Sequence, residues 1–366
     1  VRDGRPDGPH GPVDRLVRAT TTPLGLMVAV GLFLFAVQLL GGATEALSPL
    51  IERLLRRALV GPFPALGIGW LASYLLANGS VVAALAVSLF AADLVTPTEL
   101  FLLVSGSRLG AAGVVLFIGA LDFLARREAG LRESLRLGVL TFVCTYAVFV
   151  PSTVVGYLAL PWADPLVALF SGVTGLLIRS LSMLRPVALG IVDQLGATGG
   201  FLLAVVLLLV SLRLFDRTFA RLDTDHLRDR YFGYLSRVWL SFLAGLLLTG
   251  ITTSITFSLG VVVPLYNREY LTRRETVPYI LGANIGTFSD TLVVAVVLES
   301  PVAVATVAAV MGLGLAVTLV ALLRFEWFYR RVRAIQMRIV TDRRVFVAFL
   351  LGIGVVPLGL TLLRTG

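Results

Sequence analysis

The sequence predicts an all-α, polytopic membrane protein built from two inverted repeats, each holding a re-entrant or broken helical hairpin, with about 8–10 membrane segments. Three observations carry that prediction. First, the 366 residues are 57% hydrophobic and only 14% charged, where soluble domains carry about 25% charge, and mean hydropathy is +0.91. Second, the apolar residues come in runs of about 20, the length that crosses a hydrocarbon core of about 30 Å. Third, the chain contains itself twice. Gly106-Ser-Arg-Leu-Gly110 is answered by Gly282-Ala-Asn-Ile-Gly286, and 282 − 106 = 176. The same shift pairs Gly69 with Gly245, Ser73 with Thr249, Ser80 with Thr256, Leu89 with Leu265, Thr96 with Thr272 and Glu99 with Glu275. No gap separates these anchors.

Taken in order, residues 1–22 are rich in Arg, Asp, Gly and Pro and read as a flexible tail. The first repeat spans 23–158. It opens with a membrane span over 24–42, followed by an amphipathic run from Leu50 to Leu59 suited to lying flat in the interface. A hydrophobic segment at 65–90 is interrupted at Asn78-Gly79-Ser80, and spans follow at 99–121 and 137–158. A connecting region, 159–198, carries Pro161, Pro165 and Pro186 and room for one more apolar helix near 166–178. The second repeat covers 199–323. Its first span is 200–214, its interrupted segment is 239–265 with the break between Thr252 and Thr256, and spans 276–298 and 302–323 complete it. An arginine-rich loop, 324–344, and a last span at 345–363 end the chain.

Arginine placement orients these segments, because no lysine occurs and all 31 cations are arginine. Stretches 123–136, 213–237 and 324–344 are arginine-rich, whereas 91–98, 159–165 and 299–301 carry none. Basic loops stay in the cytoplasm. A consistent path follows if each interrupted segment returns to its own side, one hairpin opening outward and the other inward. The N-terminus is then cytoplasmic, in a multi-pass protein of the cell (plasma) membrane. The +9 charge reads as topology and contact with membrane lipid, not as a nucleic-acid surface.

A break at mid-membrane needs particular residues. Lipid cannot satisfy free backbone groups, so non-helical backbone survives there only inside protein or beside a water-filled cavity. Half-helix N-termini offer N–H groups to an anion, and unwound carbonyls suit a hard cation such as sodium. Ser73, Asn78, Gly79 and Ser80 in one half, and Thr252, Thr253, Ser254 and Thr256 in the other, fit that chemistry. Interrupted segments at matching places in two halves mark the binding region of a membrane carrier.

These residues also carry a resemblance. Leu248-Thr-Gly-Ile-Thr-Thr-Ser-Ile-Thr-Phe-Ser-Leu-Gly-Val-Val-Val-Pro-Leu265 and Pro278-Tyr-Ile-Leu-Gly-Ala-Asn-Ile-Gly-Thr287 resemble the type II sodium-dependent phosphate cotransporters. Gly31-Leu-Phe-Leu-Phe-Ala-Val-Gln-Leu-Leu40 is similar to that family's first helix. The resemblance implies inverted repeats, sodium as coupling ion and phosphate or a related small inorganic anion as substrate. It extends the candidate binding residues to Asn284 and Thr287, with Ser289 beside them. The chain also departs from the family. Where the family carries Gln-Ser-Ser-Ser, this chain has Ala77-Asn-Gly-Ser80 and Thr253-Ser-Ile-Thr256. Both glutamines are missing, which makes it a divergent member.

Two charges stand where charges are costly. Arg108 is mid-way along one span and Asp290 is well inside another. Two roles are open for Arg108: binding the anion as a guanidinium fork, or pairing with Asp290 as a structural clamp. The only histidines, His10 and His226, lack partners at metal-ligand spacing, and Cys144 is single, so neither a metal site nor a disulfide is expected. No Gly-x-Ser-x-Gly, phosphate-binding loop or His-Glu-x-x-His occurs, so neither an enzyme nor a cofactor is expected. The expected function is sodium-coupled symport of a small anion by alternating access. The alternatives are a non-transporting scaffold of the same fold and an anion channel.

Overall fold

The computed structural model describes residues 12–58, 61–126, 131–162, 168, 184–220, 237–253 and 272–363. Among the described residues the secondary structure is helical. The first half holds α1 (Pro12–Ala58), α2 (Pro62–Leu76), α3 (Gly79–Ala91), α4 (Pro97–Arg126) and α5 (Leu131–Ala159), the last followed by a 3-10 turn at Leu160–Trp162. The second half holds α6 (Arg185–Ala220), α7 (Val238–Thr252), α8 (Arg273–Gly286), α9 (Phe288–Val297), α10 (Pro301–Leu323), α11 (Phe325–Thr341) and α12 (Arg343–Leu362). Among the described residues six segments are long and apolar enough to span a membrane, with α8 and α9 counted as one across a turn at Thr287. The protein is an all-α polytopic membrane protein.

The short helices are hairpin arms. The 15 residues of α2 and 13 of α3 reach only about 20 Å each, short of a hydrocarbon core of about 30 Å. Glycine contacts fix their direction. The missing side chain of Gly106 lets the Leu66 carbonyl in, Gly110 admits the Trp70 carbonyl, and Gly113 meets the Tyr74 ring. Contacts therefore advance together along α2 and α4, and the two helices are parallel. Since α4 starts level with α2, α3 must run back between their ends. The tip at Ala77-Asn78 lies level with Ser107–Gly113, the middle of α4. The chain turns there because Ala77 adopts a left-handed conformation (φ 49°) that ends α2, and Asn78 caps α3 by accepting from Ser80 N at 2.9 Å and Val81 N at 3.1 Å.

The second half repeats the first arm of this design and its packing, and the expected return arm within 254–265 lies outside the described residues. A Cβ on Gly245 would lie 2.1 Å from the Tyr279 carbonyl, as one on Gly69 would lie 2.3 Å from that of Leu103. Gly282 faces the Phe242 carbonyl and Gly286 that of Leu246. Helix α7 ends at Thr252, with Thr253 left-handed at φ 53°, beside the Gly286–Ser289 turn. The long helices also start alike. A reciprocal pair of bonds joins Thr96 to Glu99 and Thr272 to Glu275, the capping box that satisfies free N–H groups at a helix start.

The repeats are inverted. The end of α3 meets α1 through Ser88 Oγ, which donates to Thr44 Oγ1 at 2.8 Å. The end of α9 meets the same stretch of α1, with Gln38 Nε2 donating to the Val297 carbonyl at 3.2 Å. Helix α4 thus starts on the face where α9 finishes, and the two long spans run in opposite directions. That face carries the arginine-free turns 92–96 and 298–300. The opposite face gathers the ends of α4 and α6, the starts of α5, α7 and α8, and all of α11.

The structure corrects four boundary expectations. Helix α1 begins at Pro12, inside the stretch read as tail, and continues unbroken to Ala58, so Leu50–Leu59 does not form a separate interfacial helix up to Ala58. Helix α6 starts at Arg185, within the expected connector, and is kinked at Gly196 (φ 73°). Residues 324–344 are not a loop. Phe325, Phe328, Val332, Gln336 and Ile339 fall at helical spacing and are buried, which holds α11 against the bundle. The proposed helix near 166–178 lies outside the described residues.

Candidate functional site

The Ala77–Asn78 tip touches the middle of α4, the end of α7 touches the turn between α8 and α9, and α4 touches that turn in its own right. Arg108 projects from the middle of α4 and is 4% exposed. Its Nη2 donates to Thr291 Oγ1 at 2.7 Å and lies 3.9 Å from Asp290 Oδ1, and its Nη1 reaches the Thr287 carbonyl at 3.5 Å. Its Cζ sits 4.3 Å from the centroid of the Phe288 ring, a cation–π arrangement. Thr291 Oγ1 accepts from Arg108 and donates to Asp290 Oδ1 at 2.9 Å. Asp290 is 2% exposed. Ser80, in the first turn of α3, faces its carboxyl group.

Two polar atoms in this cluster have no hydrogen-bond partner among the described residues, Arg108 Nε and Asp290 Oδ2. A buried ion pair normally needs its remaining donors and lone pairs filled. This one has capacity left on both members, at the depth of the Ala77–Asn78 tip and of the end of α7.

Asn284 stands 176 residues from Arg108 and takes a different partner. Its Nδ2 donates to Thr145 Oγ1 on α5 at 2.9 Å, and Thr145 Oγ1 donates to the Thr141 carbonyl at 2.9 Å. A charged arm and a neutral amide thus occupy equivalent places in the two repeats.

The remaining expected residues divide by what their side chains do. The Asn78 side-chain oxygen is committed to capping α3. Ser73 is buried and donates towards the Gly69 and Ser107 carbonyls at 3.0 and 3.1 Å, which ties α2 to α4. Gly79 allows the tip to approach the Ser107 carbonyl, which would lie 2.7 Å from a Cβ. Thr287 Oγ1 donates to the Asn284 carbonyl at 2.8 Å and Ser289 Oγ to that of Gly286 at 2.9 Å. Thr252 is buried, and Thr253 Oγ1 donates to the Thr252 carbonyl at 2.8 Å. Ser254 and Thr256 lie outside the described residues. No grouping of His, Cys, Asp or Glu suited to a metal ion occurs among the described residues.

Sequence reasoning missed Thr291, Phe288 and Thr145. Thr291 was legible as a hydroxyl next to the one acidic residue inside span 276–298. Phe288 and Thr145 gave no signal, since their counterparts across the repeat are Ala112 and Ala321.

An apolar groove of about 440 Å³ lies between α2, α5 and α12. Neither Arg108 nor Asp290 lines it.

Residues 207–365 match the family described as Na+/Pi-cotransporter, from within α6 through α12. No curated protein and no solved structure matches the chain.

Proposed function

We propose that the protein is a secondary active transporter coupling sodium entry to uptake of phosphate or a related oxyanion, a reading supported by the match of residues 207–365 to the Na+/Pi-cotransporter family. Sodium is held by carbonyls and hydroxyls at the hairpin tips. The anion sits at Arg108, whose guanidinium offers a planar fork to oxyanions. One bundle moves against the other so that the site opens to each face in turn. In this reading the protein sits in the cell membrane with its arginine-rich face and its N-terminus in the cytoplasm, as the positive-inside tendency supports.

The observation that carries this reading is the meeting of two inverted repeats at one buried guanidinium–carboxylate pair, level with the Ala77–Asn78 hairpin tip of the first and with the left-handed helix end at Thr253 in the second. The test is uptake of labelled phosphate into proteoliposomes under an imposed sodium gradient. We expect accumulation that collapses when the gradient is dissipated. Uptake indifferent to every cation gradient would remove the coupling.

One observation favours a second reading, a membrane scaffold that does not transport. Two nitrogens of Arg108 are already engaged by protein groups. Absence of uptake for a panel of oxyanions by correctly folded protein would decide for it.

A further inference from the structure

We infer that α11 and the start of α12 form a docking surface for the anionic headgroups of the surrounding membrane. Helix α11 leaves α10 after one residue, Arg324, and joins α12 through Asp342. Both joints lie on the arginine-rich face, so the 17-residue helix runs along that face and does not project from it. One side is fixed to the bundle, with Phe325, Phe328 and Val332 buried and Gln336 Nε2 donating to the Arg136 carbonyl at 2.7 Å.

The other side is chemically mixed. Trp327 is 57% exposed and Ile335 50%, and Arg330, Arg331, Arg333 and Arg338 are exposed around them. Arg331 stacks over Trp327, with Cζ 5.6 Å from the ring centroid. The two acidic residues of this stretch are occupied. Glu326 pairs with Arg274, and Asp342 caps α12 by accepting from Arg344 N. The surface is therefore strongly positive, with an indole and an aliphatic side chain set among guanidinium groups. That composition suits the headgroup layer: indole prefers the interface, and basic side chains there attract anionic lipid.

An acidic cytosolic protein would also meet the charge, but the two spans flanking α11 hold it where lipid headgroups already are. The inference does not depend on what the protein transports.

The test uses the full chain in vesicles of phosphatidylcholine with one-third phosphatidylglycerol. After extraction, native mass spectrometry counts the retained lipids. Each basic residue strengthens attraction to an anionic surface by roughly fivefold. Replacing Arg330, Arg331, Arg333 and Arg338 by Gln should lower the retained phosphatidylglycerol-to-phosphatidylcholine ratio at least about tenfold. The same four positions as Lys should keep it, which separates charge from folding. A second measurement leaves Trp327 as the only tryptophan, with Trp70, Trp162 and Trp239 changed to Phe. Brominated lipid should quench its emission. Equal lipid retention by the Gln and parent proteins, or a Trp327 quenched by aqueous iodide and not by brominated lipid, would overturn the proposal. So would capture of an acidic peptide by α11 with no lipid preference.

Discussion

Ala77 and Thr253 end their helices in the same left-handed conformation, at φ 49° and 53°, and stand 253 − 77 = 176 residues apart. Neither is glycine, so each holds a backbone that L side chains disfavour by about 1–2 kcal/mol. Such strain persists only where the surroundings over-determine it. Here the helices on which the two turns rest supply that constraint. Ala77→Gly and Thr253→Gly should each raise stability by about 0.5–1 kcal/mol, the relief being partly offset by the freer unfolded chain. Thermal unfolding of the purified protein reads the effect. A fall in midpoint for either variant would mean that the side chain contributes more than the turn costs.

The close packing of hairpin on span gives a second, paired prediction. A Cβ on Gly69 or Gly245 would lie within 2.3 Å of a backbone carbonyl oxygen, and backbone cannot move aside as a flexible side chain can. Gly69→Ala and Gly245→Ala should each destabilise by about 1–3 kcal/mol or more. Gly312 in α10 has nothing within 4 Å of its would-be Cβ. Gly312→Ala should be neutral or stabilising by up to about 1 kcal/mol. Equal effects for all three would show that the carbonyl contacts do not set the helix spacing.

These paired features explain what could be read from the chain alone. A helix stop and a carbonyl contact each demand a small set of residue types at one place. Two copies of that demand, 176 apart, stand out against the apolar background. The amphipathic helix α11 did not stand out in the same way. Its seventeen residues include four arginines, and the basic character hid the 3–4 spacing from Phe325 to Ile339. The inner cluster was half legible. Arg108 and Asp290 are conspicuous as charges, but only tertiary packing puts Thr291 between them and Phe288 beneath. The role of Asn78 is open for a related reason. A residue that can bind a ligand can also cap a helix, and the sequence does not say which.

That ambiguity is open to experiment. If the Asn78 side chain serves α3, Asn78→Ala should cost about 1 kcal/mol of stability. Asn78→Asp and Asn78→Ser, which keep an acceptor for Ser80 N and Val81 N, should cost less than half of that and leave uptake kinetics near those of the parent. A stable Asn78→Ser protein with lost uptake would return Asn78 to the ligand set.

The pair at the centre gives the sharpest prediction. Removing one member of a buried ion pair leaves the other uncompensated, a loss of about 3–5 kcal/mol. Arg108→Asp and Asp290→Arg should therefore each lower the unfolding midpoint, and the double exchange should restore it. Uptake should behave differently. If Arg108 holds the anion, the exchanged pair places a carboxylate on α4 where the guanidinium was, and uptake stays lost although the fold recovers. If the pair is only a clamp, uptake returns with stability. Asp290→Asn separates the roles further. If Arg108 holds the anion, the carboxylate competes with it for the guanidinium, and the amide should then lower KM for phosphate, measured as initial uptake rates against concentration. A raised KM, with the fold intact, would mean that Asp290 helps to hold the anion's cation partner and does not compete for Arg108.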